Sequence, residues 1–248
     1  MPTRDDDDVN EPPVADAPVA EVELTEAALA RVPIFPLPRA MLFPGVVVPL
    51  HLFEPRYQAM AEYCVEAPGH RLLALATLAP GYEDDYEGRP PVVPIMGVGQ
   101  IVAHQKLEDG RWNIAVRGLG RTRLMTELPP DESFRLGALE LLPDVLHPMD
   151  AEGAARLVTM VLQLGARLPA VRPQLTQLIA EARVPGRVAD VAAGVFVDGL
   201  PLQQRLLEEV SVERRLGIVT ELVGRLLLTT PTPVDDDDDE PASGPVFN

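Results

Sequence analysis

Few side chains in this sequence are of types that do covalent chemistry, and none of them stands at a catalytic spacing. Cys64 is the only cysteine. With Tyr57, Met60 and Ala61 it falls at i, i+3, i+4, i+7 of one apolar stripe. That position makes it a packed thiol rather than a nucleophile, since a reactive thiolate needs a nearby cation or helix N-terminus. The four histidines are His51, His70, His104 and His147. No two sit at H-E-x-x-H spacing, and one cysteine cannot complete a zinc cluster. His51, flanked by Leu50 and Leu52, reads as a core or rim residue. Lys106 is the only lysine, so no G-x-x-x-x-G-K-[ST] phosphate loop exists. Ser133 lies in a loop, Ser211 at a helix start and Ser243 in an acidic stretch, none in a G-x-S-x-G elbow. A Ser–Lys dyad would have to use Lys106, which stands beside a hairpin turn without a desolvated pocket to lower its pKa. The run Glu83-Asp84-Asp85-Tyr86-Glu87 reads as a wet loop. The expectation is no catalytic residue, no metal ligand and no cofactor.

The elements that would have to position a site follow from charge and periodicity. The chain has 248 residues, 46% of them hydrophobic, and a formal charge of −17. That charge divides into −8 over residues 1–30, −3 over 31–230 and −6 over 231–248. Asp5–Asp8 and Asp235–Asp239 lie in low-complexity acidic ends that cannot bury enough apolar surface to offset ordering, so 1–30 and 231–248 are expected to be disordered tails. Asp235–Asp239 also lacks the glycine and closing Glu of an EF-hand loop. No apolar run approaches the ~20 residues of a membrane span, and no signal peptide is recognisable. The expected location is cytoplasmic.

From 31 to 148 the segments are short, rich in Val, Ile and Leu, and punctuated by Pro and Gly. Val32–Leu37 and Val46–Leu50 read as strands around a Phe43-Pro44-Gly45 turn. Arg71–Leu78 has strand length. Val98–Leu107 and Arg111–Arg117 read as a hairpin across Glu108-Asp109-Gly110, followed by Gly120–Leu128 and Phe134–Leu142. One helix, Glu54–Glu66, interrupts them with Pro55 in its first turn. From 149 to 230 the period is helical. The stripes are Leu157/Val158/Val161/Leu162/Leu168, Leu175/Leu178/Ile179, Val188/Val191/Ala192/Val195 and Leu202/Leu206/Leu207/Val210. A last helix, N-capped by Ser211, carries Val212, Leu216, Val219, Val223 and Leu226. Strands followed by helices predict an α+β protein, a small closed or half-closed barrel with one edge helix followed by a C-terminal helical bundle. Arg121 and Arg123 share a strand face, and small barrels bind RNA. The ordered interval is nevertheless net negative without a basic stripe, so RNA binding stands as the alternative function.

Residues 32–143 resemble the N-terminal, substrate-binding domain of the Lon protease, which also occurs freestanding and in cereblon. The residues that carry the resemblance are Pro33-Ile34-Phe35-Pro36-Leu37, Phe43-Pro44-Gly45, Pro49-Leu50-His51-Leu52-Phe53-Glu54-Pro55-Arg56-Tyr57, Gly97-Val98-Gly99-Gln100-Ile101, Asp109-Gly110-Arg111 and Gly118-Leu119-Gly120-Arg121-Thr122-Arg123. Val188–Ala192 and Leu202–Arg215 resemble the closing helices of the same domain. The resemblance implies a PUA-like barrel with a helical bundle, in a freestanding form without the ATPase and protease domains. It implies recognition of protein substrates or partners, possible service as adaptor to a separate protease, and no peptidase activity. It offers no catalytic residues. Pro44, Gly45, Pro55, Gly118 and Gly120 look structural, and Arg56 and Arg121 look like members of ion pairs. The partner-binding face and the oligomeric state are open.

Overall fold

The computed structural model describes residues 20–39, 41–66, 71–85, 88–170 and 172–232. Asp5–Asp8, His70, Tyr86, Glu87, Asp235–Asp239 and Ser243 lie outside the described residues. Among the described residues thirteen helices and strands follow the order α1 (Glu26–Leu29), β1 (Val32–Leu37), β2 (Val47–Leu52), α2 (Pro55–Glu66), β3 (Leu72–Thr77), β4 (Ile95–Lys106), β5 (Trp112–Glu127), β6 (Arg135–Leu142), α3 (Asp150–Arg167), α4 (Arg172–Glu181), α5 (Pro185–Phe196), α6 (Leu200–Glu208) and α7 (Val212–Thr229), with a 3₁₀ turn at Tyr82–Asp85. The class is α+β.

The six strands are ordered β2-β5-β4-β3-β1-β6, and β6 also pairs with β5, so the hydrogen-bonded ladder closes into a ring. β1 and β3 run parallel, and the other pairs are antiparallel. The hairpin between β4 and β5 turns at Asp109-Gly110, where Gly110 has φ +88° and Asp109 Oδ1 accepts from the Arg111 N–H at 3.0 Å. Sequence periodicity splits β5 in two because Gly118-Leu119-Gly120 reads as a break. It is one 16-residue strand. Its first half pairs with β2 through Trp112–Arg117 and its second half with β6 through Arg121–Glu127. The register against β4 slips beside Gly118. The glycines let the strand bend and change partners rather than end.

The same glycines admit another piece of chain. The segment Leu42–Phe43 crosses the sheet so closely that a Cβ on Gly97 would run into the Leu42 carbonyl oxygen, and a Cβ on Gly118 into that of Phe43. The Gly45 N–H donates to Gly118 O at 2.8 Å, and the Gly118 N–H to Val46 O at 2.9 Å. The motif glycines thus provide close approach.

β1 and β3 are buried on both faces, which is why they read as continuous apolar runs. Phe35, Leu73 and Leu75 pack with α2 through Tyr57, Met60, Ala61 and Cys64. Ile34, Leu72 and Ala74 pack with Leu29 and Val98 on the other side. Residues 20–30, which the charge count assigns to the acidic tail, lie against this second cluster. Val22 and Leu24 pack there, and Gln100 holds the chain by accepting from the Val22 N–H and donating to Ala20 O. α3, α5, α6 and α7 bury a separate core centred on Leu157, Val161, Ala189, Leu206 and Val219. Leu162, Leu168 and Val195 are exposed. In α3 the inward face runs through Ala154, Leu157, Val161 and Leu164, and Leu162 falls one step round from it. Ser211 caps α7 as expected, its hydroxyl accepting from the Arg214 N–H.

Gly118→Ala forces Phe43 off the sheet and is expected to lower stability by ~1–3 kcal/mol. Gly217→Ala, which meets open space on helix α7, is expected to raise it by ~0.5–1 kcal/mol. Urea midpoints at constant m-value check both.

Candidate functional site

The side chains with the greatest chemical potential converge where the strand ring meets the helices, and their arrangement is structural. Arg121 on β5 donates from Nη2 to Asp190 Oδ1 on α5, from Nη1 to Asp144 Oδ1 at 3.1 Å and from Nε to Leu207 O at 3.1 Å. Arg215 on α7 reaches Asp144 Oδ1 with Nη2 at 2.8 Å and Glu209 O with Nη1 at 2.8 Å, and its Nε lies 3.2 Å from Asp190 Oδ1. Two guanidinium groups thus face two carboxylates. Arg121, Asp190 and Arg215 are almost wholly enclosed, and Asp144 stands at the edge. Burial pushes the Asp190 carboxyl up from its ordinary value, against the opposing pull of Arg121 and Arg215. Gly186 is required beside it, because a Cβ there would strike Asp144. The ion-pair role expected of Arg121 is what the structure shows. Arg123, on the same strand face, is exposed and pairs with Glu140 at 3.4 Å. The two-arginine face that suggested RNA is therefore reduced to one exposed, paired arginine.

The other candidates are dispersed. The Cys64 thiol is buried, donates to Leu72 O at 3.5 Å, and is pushed up to about 12 by burial. His51 Nδ1 lies 2.7 Å from Asn113 Oδ1, and its Nε2 3.3 Å from Arg111 Nη1. A guanidinium only donates, so Nε2 accepts and Nδ1 carries the proton. The His104 ring lies tilted against Trp112, with 5.9 Å between ring centroids. Lys106 is half exposed, paired with Glu62 and held over the Trp112 ring. Arg56 bonds Glu54 Oε2 at 2.8 Å and lies over the Tyr57 ring. Among the described residues no group of three or more His, Cys, Asp or Glu side chains could hold a metal ion, and no helix is long and apolar enough to cross a membrane.

Two concavities among the described residues bear on recognition. One, of about 350 Å³, opens at the end of the strand ring between Pro36, Tyr57, Leu78, Pro90, Pro130 and Phe134. The other, of about 440 Å³, is a groove between α3 and α7, with Gly153, Leu216 and Gly217 along it and Met149 at one end. Glu152, Glu213 and Glu221 outnumber Arg156 on its rim. Beside it runs the connector from β6 to α3, where Val145, Leu146 and Met149 are 58%, 71% and 54% exposed. The sequence pattern missed this patch because a single apolar residue in a loop carries no periodicity. Its signal was the cluster of Val, Leu and Met between two elements.

The arrangement of the strand ring and the helical bundle also occurs in solved structures. The N-terminal domain of a Mycobacterium avium complex Lon protease superposes with a TM-score of 0.62 at 17% identity, over 78% of this chain and 98% of that one. A Lon N-terminal domain protein from Xanthomonas campestris gives 0.53 at 20% identity, over 82% and 99%. The sequence profile of the ATP-dependent protease La (LON) substrate-binding domain matches residues 31–225, and the chain belongs to that family. Among curated relatives, the Lon protease of Xanthomonas oryzae pv. oryzae is 28% identical, covering 84% of this chain and 24% of its own length. That of Desulfosudis oleivorans is 25% identical, covering 82% and 25%. The chain spans about a quarter of the length of the curated relatives it matches.

Asp190→Ala leaves two buried guanidinium groups facing one half-exposed carboxylate and is expected to cost ~3–5 kcal/mol in urea unfolding. Cys64 in the native protein is expected to resist iodoacetamide near neutral pH and to react fully once denaturant is added, because its thiolate is withheld by burial. Mass spectrometry of the two samples checks it.

Proposed function

We propose that this chain is a non-catalytic protein-recognition module, which takes up apolar segments of other proteins and serves as an adaptor presenting them to a protease carried on a separate chain. The observation that carries this reading is the connector patch. Val145, Leu146 and Met149 project into water from backbone that is firmly held. The Val145 N–H donates to Val210 O at 2.9 Å, and Val145 O accepts from the Val212 N–H at 3.1 Å. Asp150 Oδ2 accepts from the His147 N–H at 2.6 Å. Large apolar side chains held in place yet exposed are the mark of a binding surface. The groove between α3 and α7 extends that surface, and its acidic rim favours segments with basic flanks. Membership of a substrate-binding family supports the same reading. The strand ring is read here as the PUA-like barrel that the sequence suggests, in a scaffolding role.

A fluorescein-labelled, reduced and carboxymethylated unfolded protein tests it by anisotropy. Binding by the wild-type chain is expected without ATP, without cleavage and without competition from single-stranded RNA. Leu146→Asp is expected to weaken it about 10-fold, the loss of one buried leucine side chain. Absence of binding to the wild type contradicts the recognition role, and equal binding by the variant contradicts its siting.

A further inference from the structure

The concavity at the end of the strand ring has a composition that neither the groove nor the connector shares. Its volume of about 350 Å³ stands at the lower end for ligand sites. It therefore admits one or two side chains rather than a nucleotide cofactor. Pro36, Pro90 and Pro130 form part of its wall. Their fixed φ makes that part of the wall stiff, while Arg56, Arg89 and Arg135 bring guanidinium groups to the rest of it. Tyr57 and Phe134 are nearly buried and locked by neighbours, with ring centroids 4.4 Å from Phe35 and 5.3 Å from Tyr63 respectively. A cavity already shaped by fixed rings costs little to fill.

Among the described residues, the guanidinium groups at its mouth are unequally paired. Arg135 is buried and fully engaged. Its Nε and Nη2 donate to the two oxygens of Glu127, and its Nη1 donates to Pro90 O at 2.7 Å. Arg89 is the second guanidinium near Glu127, 3.9 Å from Oε2, the oxygen that already accepts from Arg135 Nε. One carboxylate thus serves two cations. Arg56 is paired with Glu54, and Glu132 is 3.7 Å from Arg31. Arg89 is the less closely held of the two guanidinium groups that share Glu127, and it is 39% exposed on the lip of the cavity.

We propose that this pocket recognises an apolar, foremost aromatic, side chain with a carboxylate next to it on the same peptide. The ring enters between Tyr57, Phe134 and the prolines, and the carboxylate meets Arg89. An internal acidic residue and a free chain end present the same chemistry. This is a second recognition point, separate from the connector patch, and it stands whether or not that patch binds unfolded segments.

The test uses the ¹⁵N-labelled full chain in NMR titrations with four peptides: acetyl-Gly-Ser-Phe-Asp-Gly-amide, its Phe-Asn counterpart, and acetyl-Gly-Ser-Gly-Phe with a free or an amidated C-terminus. Shifts are expected at the amides of Tyr57, Arg89 and Phe134. At least one carboxylate peptide should bind about five-fold tighter than its neutral counterpart, and the pair that shows the preference identifies the source. Arg89→Gln, on the surface and checked for folding by circular dichroism, should remove the preference while keeping the affinity for the neutral peptides. The proposal is overturned if no peptide shifts those amides, if both charged peptides bind no tighter than their neutral partners, or if Arg89→Gln keeps the preference. Leu146→Asp, which alters the connector alone, is titrated with the same four peptides and should keep the preference, so failure here is distinct from failure at the connector.

Discussion

The two halves of this protein are related through one buried arrangement of charge, Arg121 and Arg215 against Asp190 and Asp144. An enclosed guanidinium without a partner is costly, so the strand that carries Arg121 and the helices that carry Asp190 and Arg215 must meet in one relative placement. The cluster sums to zero charge, and each carboxylate faces both cations. Its value lies less in net stability than in orientation, since apolar residues of equal volume would hold the halves together but not fix their angle. Asp144 opens the connector, so the exposure of Val145, Leu146 and Met149 depends on the same arrangement. Gln204 adds a second tie, accepting from Thr77 Oγ1 and donating to Ile95 O.

Much in this fold that resembles catalytic equipment is committed to holding it. His51 orients Asn113 and Arg111 on the hairpin, Cys64 fills the space under α2, and Lys106 covers Trp112. The described surface offers an apolar patch on firm backbone, a groove with an acidic rim, and a small pocket with Tyr57 and Phe134 in its wall and Arg89 at its lip. The patch lies on a connection between elements, the groove runs between two helices, and the pocket gathers several segments at the end of the strand ring.

Local chemistry was legible in the residues. The stripe through Tyr57, Met60, Ala61 and Cys64, the cap at Ser211 and the turn at Asp109-Gly110 each depend on neighbours a few positions apart. What was not legible depends on distant partners. Gly118 and Gly120 read as a break because glycine weakens a strand, yet their purpose is set by Phe43 over Gly118, by Leu24 and Leu141 over Gly120, and by the change of partner from β2 to β6. Asp190 sits within an apolar helical stripe, and nothing near it in sequence announces two arginines. The order of Ala20 to Ala30 rests on Gln100, whose role no pattern predicts. The pocket at the ring's end draws on five separate segments, so only the fold assembles it.

The most direct test of this account is whether ring and bundle unfold as one. Trp112 is the only tryptophan and reports on the strand ring, while far-UV circular dichroism is dominated by the helices. The account predicts coincident urea transitions by the two probes in the wild type, because the buried charges cannot be separated singly. Two separated transitions would contradict it, showing that the halves are independent and that the charge cluster does not bind them into one recognition unit.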